Sequence, residues 1–166
     1  MDQAQGAIDA ARAVGADRYA AAEFTSATDA LTRARQAVTE RDYRLALSDA
    51  LDSREHAQNA AREAADTRAR LRGEVERLTT EVSLLLEQVE KVLAAAEKSR
   101  APRHTLRQHR DSVTAATTSL QEARTAVAAG DYTAATNTLT GTKDRIAAVI
   151  TAIDTLTAAQ TPRRRR

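Results

Sequence analysis

The chain has 166 residues, of which 42% are hydrophobic, 29% charged and only 2% aromatic, with 5 Gly, 2 Pro and no Cys. The lack of Cys excludes disulfides, thiol catalysis and thiolate metal sites, and no run of about 18 apolar residues is present to span a membrane. The net charge of +2 comes from the last four residues: without Arg163, Arg164, Arg165 and Arg166, 21 basic residues face 23 acidic ones, so the slightly acidic body does not read as a nucleic-acid-binding domain.

Much of the hydrophobic content is Ala. A core of Ala with a few Leu, Val and Ile suits helices that approach closely along their length. It does not suit a thick globule with a deep pocket. Low Gly and Pro favour long helices, so the expected class is all-α.

Residues 3–14 read as a short helix, with Ala7, Ile8, Ala11 and Val14 on one side and Gly15 as its stop. Asp2, Asp9 and Arg12 break up any continuous apolar stretch, so this segment is not a signal peptide. The expected location is the periplasm or cell envelope if an export signal has been removed, and otherwise the cytoplasm. Residues 15–19 read as a turn. A second helix is expected from about Ala21 to Glu40, with Phe24, Ala27, Leu31, Ala34 and Val38 on its apolar face.

Asp42 is a good helix N-cap, because its carboxylate can accept the free N–H groups of the first turn. A third helix starts there and meets no Pro until Pro102, which predicts a length of about 80 Å. Its first half carries Ala46, Ala50, Ala57, Ala61 and Ala64. Its second half carries the strongest pattern in the chain. Leu71, Val75, Leu78, Val82, Leu85, Val89, Val92 and Ala96 alternate in steps of four and three, and Leu86 and Leu93 widen the seam. A wide seam suits a helix gripped by two neighbours. Gly73 lies between the halves, and continuity through it is expected because no other turn residue accompanies it.

Pro102 ends the long helix. A fourth helix covers about Arg103 to Ala129, with Leu106, Val113, Leu120 and Val127 every seven residues and Ala116 and Ala123 between them. Gly130, Asp131 and Tyr132 form a tight turn. The fifth helix extends to about Gln160 through Leu139, Ile146, Ile150, Ile153 and Leu156. Gly141 between two threonines weakens its first turns. Pro162 and the four arginines form a tail.

The second and fourth helices, with the turns after them, repeat. Leu31, Ala34, Arg35, Ala37, Val38, Asp42, Tyr43 and Ala46 match Leu120, Ala123, Arg124, Ala126, Val127, Asp131, Tyr132 and Ala135 at a constant offset of 89. An amphipathic hairpin cannot bury its seam alone. The economical architecture is an elongated bundle: two three-helix bundles sharing the long helix. The expected division is 1–70 for the first hairpin unit with the front of the long helix, 71–160 for the second bundle, and 161–166 for the basic tail. The seam of residues 71–96 also suits a parallel dimer. A monomer is expected, with a homodimer as the alternative.

The first repeat resembles an uncharacterised Ala-rich helical domain family of bacterial envelope proteins, often lipoproteins. The residues that carry the likeness are Gly15, Ala16, Tyr19, Ala20, Glu23, Phe24, the ladder Ala27, Leu31, Ala34 and Ala37, and then Asp42, Tyr43 and Ala46, over roughly residues 4–70. The family often has Pro where Ala21 stands and Gly where Arg41 stands; the second repeat keeps Gly130. The resemblance implies an exported helical protein and brings no catalytic residues. A lipid-attachment Cys is absent.

No catalytic constellation emerges. His56, His104 and His109 have no Glu three residues before them, so the di-iron pattern of helical bundles is missing. His109 falls on the seam side of its helix and reads as a partly buried, hydrogen-bonded imidazole. No P-loop is present. Many carboxylates have an i,i+4 basic partner, such as Asp66 with Arg70 and Glu87 with Lys91, and read as a solvated face. Arg62, Arg68, Arg70, Arg72 and Arg77 are interleaved with acids and read the same way. Tyr43 and Tyr132 share a repeat position and read as rings packed over a hairpin end, hydroxyls to water. Asp42, Tyr43, Asp131 and Tyr132 are thus structural turn positions, and no cofactor or metal is expected.

The function expected is a non-catalytic structural or adaptor protein of the envelope that contacts another protein through its helix faces. The alternative is a module binding a polyanion or membrane surface through Arg163, Arg164, Arg165 and Arg166, which would give weak, salt-sensitive contact.

Overall fold

A computed structural model describes residues 1–99 and 102–160. Among them there are helices and no strands: α1 (Asp2–Ala13), α2 (Ala16–Tyr19), α3 (Ala21–Thr39), α4 (Tyr43–Lys98), α5 (Arg103–Ala128) and α6 (Tyr132–Gln160). The chain is an all-α helical bundle. α4 is one helix of 56 residues and passes Gly73 without a break. The chain divides into two compact units, Met1–Arg70 and Leu71–Arg166.

Unit 1 has an alanine core. Ala4, Ile8 and Ala11 of α1, Ala16, Ala20, Ala27 and Leu31, and Ala57, Ala60 and Ala64 of α4 pack as one buried cluster. Alanine lets helix axes come close, and Ser53 shows it. Fully buried, Ser53 donates its Oγ proton across the interface to the Ala27 carbonyl at 2.8 Å. That bond satisfies a hydroxyl that would otherwise be costly inside a dry core.

The expected turn at residues 15–19 contains a turn of helix, α2. Gly15 adopts φ +85°, and a Cβ there would meet the Tyr19 ring at 3.2 Å. Four residues are too few to show a periodicity, so the sequence pattern missed this element.

The α3–α4 connection is a Schellman turn. Arg41 N–H bonds the Val38 carbonyl at 3.1 Å and Asp42 N–H bonds the Ala37 carbonyl at 2.9 Å. Arg41 takes the left-handed position at φ +63°. Asp42 then accepts the Leu45 N–H on Oδ1 at 3.0 Å and caps α4.

Unit 2 repeats the hairpin around a bulkier core. Val75, Leu78, Val82, Val89 and Leu93 of α4 pack with Leu106, Leu120, Leu139, Ile146, Ile150 and Ile153. Its turn has the same bonds, Gly130 N–H to Val127 at 2.9 Å and Asp131 N–H to Ala126 at 2.8 Å. Gly130 has φ +74°, and Asp131 Oδ1 accepts the Ala134 N–H at 3.0 Å. α6 runs through Gly141 as helix. Thr142, the repeat mate of Ser53, is also fully buried but bonds the Thr138 carbonyl of its own helix, at 2.7 Å.

Candidate interaction surface

The surface is best built from α4's first three turns. Core positions here are Ala46, Asp49 and Ser53, in steps of three and four. Leu47 and Leu51 stand four apart on one flank of that line, with Tyr43 a turn before them. They are 62%, 48% and 68% exposed. Met1, Ala4, Leu47, Ala50 and Leu51 line one shallow groove, with Arg54 at its edge. On the opposite flank Leu45 lines a second groove with Arg33, Gln36 and Ala37. There Arg33 reaches Asp49, which is almost buried, at 3.3 Å.

These leucines are not needed to make the hairpin. Their mates in the second repeat are Ala134 for Leu45, Thr136 for Leu47 and Thr140 for Leu51. A fold that accepts Ala or Thr at these positions gains nothing from Leu exposed to water, where apolar area carries a cost. Sequence reading passed over them because it followed the alanine ladder. The signal was present in the offset of 89, which sets each Leu against a smaller or polar residue.

The expected sites fall in different places. Tyr43 stands in solvent, so its ring is not packed over the hairpin end as expected. Tyr132 is half-buried. The difference follows from the neighbours: among the described residues no helix covers the hairpin at Tyr43. Val38, expected on the buried seam, is 41% exposed for the same reason. Residues 163–166 lie outside the described residues.

His56 lies half-exposed with its Nδ1 at 2.8 Å from Glu23 Oε2, tying the start of α3 to α4. Glu23 also lines an open groove of about 510 Å³ with Asn59, Arg62, Glu63, Asp66 and Arg70. The pair can orient an imidazole, but its open setting holds no reactant away from water. His109 was expected to be hydrogen-bonded, yet its Nε2 is buried with no partner. Among the described residues no group of three acids or histidines could hold a metal ion.

The mid-α4 arginines are largely engaged. Arg68 donates to the Val14 carbonyl at 3.3 Å and Arg62 to Asn59 at 2.5 Å. Arg72 pairs with Glu76, and Arg77 with Glu81. The expected pairs of Asp66 with Arg70 and Glu87 with Lys91 are not formed. Exposed i,i+4 pairs gain only a few tenths of a kcal/mol, so the spacing alone does not decide which of them form. Glu81 also accepts from Lys143 at 2.7 Å, and this bond, with Arg77, holds its carboxyl below its ordinary value of 4.5.

No helix among the described residues is long and apolar enough to cross a membrane. No curated protein and no solved structure matches the chain. Residues 1–78, which hold all of unit 1, match the family model of a domain of unknown function (DUF4398).

Proposed function

We propose that the protein is a non-catalytic structural or adaptor protein of the bacterial envelope that binds another protein through the start of α4. One observation carries the docking role: Leu47 and Leu51 are exposed where the second repeat has Thr136 and Thr140. The envelope location is supported by the resemblance of residues 4–70 to Ala-rich envelope domains. The open shape of the grooves favours contact over chemistry.

A photo-crosslinking residue at Leu47 of the full chain, expressed in bacterial cells, tests the reading. It should trap one protein in the envelope fraction, whereas the same residue at Glu87 should trap none. Equal labelling from both positions, or none from Leu47, removes the docking role. Recovery of the chain in the cytosolic fraction removes the envelope location.

A further inference from the structure

No further inference is drawn: the strongest candidate, the apolar surface patch that Val38, Leu47 and Leu51 expose at the turn end of the unit 1 hairpin, is an unpartnered face, and nothing in the structure shows what covers it.

Discussion

Unit 1 and unit 2 make the same hairpin with different fillings. Ala57 and Ile146 are repeat mates, as are Ala50 and Leu139, while Leu31 and Leu120 or Ala34 and Ala123 are alike. The α3-type helix is therefore nearly constant, and the difference lies in the helix after the turn. In unit 1 that helix offers methyl groups, and the hydroxyl of Ser53 spans the gap to α3. In unit 2 it offers Leu and Ile, and the hydroxyl of Thr142 turns back on its own helix. The turn chemistry thus fixes topology in both units, while side-chain volume after the turn sets how each interior is held.

The largest test of this contrast is Ile146→Ala, which places the unit 1 residue in unit 2. It should cost about 2–5 kcal/mol in denaturant unfolding, since the larger core cannot close on the cavity. The converse, Ala57→Ile, should cost about 1–3 kcal/mol by overpacking. If Ala57→Ile stabilises, the alanine core is not closely packed. Ser53→Ala should cost about 1 kcal/mol through loss of the cross-helix bond. Thr142→Ser, which keeps its local bond, should cost chiefly the lost methyl, about 0.8 kcal/mol.

The turns differ at one backbone position. Arg41 adopts the left-handed conformation that Gly130 occupies freely. Arg41→Gly should therefore stabilise unit 1 by about 0.5–1 kcal/mol, the relief of strain exceeding the added chain entropy. A thermal melt that moves downward would show that Arg41 makes a contact outweighing its strain.

The smallest effect concerns acid. The Glu81 carboxyl is held down in the folded chain, first by Lys143. Its contribution is therefore present above the ordinary value of 4.5 and is lost as pH falls through the lower folded value. Lys143→Met should flatten that part of the stability profile and leave neutral pH the less stable. Unit 1 has Gln3 against Arg54 in this place, so Arg54→Met should leave acid dependence unchanged.

The all-α bundle was legible because its seams are periodic: Val75, Leu78, Val82 and Val89 are buried as their spacing required. The two Asp-centred turns were legible from capping chemistry at a repeated offset. Val38 and Tyr43 were misread for one reason. Periodicity says which face of a helix is apolar, but not whether a third helix reaches far enough to cover it. The short α2 escaped because four residues cannot display a period. The bond from His56 to Glu23 joins helices across 33 residues, a distance over which no local rule applies. Leu47 and Leu51 stood out only against their mates, which makes the internal repeat the most informative reference for a surface.

Asp42 closes the end of α3 and opens α4 within the same residue. The two helices are therefore coupled in angle as well as joined. With no slack residue between them, one added residue in the turn would rotate α4 by about 100° against α3. Such a rotation would carry the leucines out of line with the α1 groove, although every side chain remained in place along its own helix. The direction in which this surface faces is thus stored in the length of a turn that touches no partner.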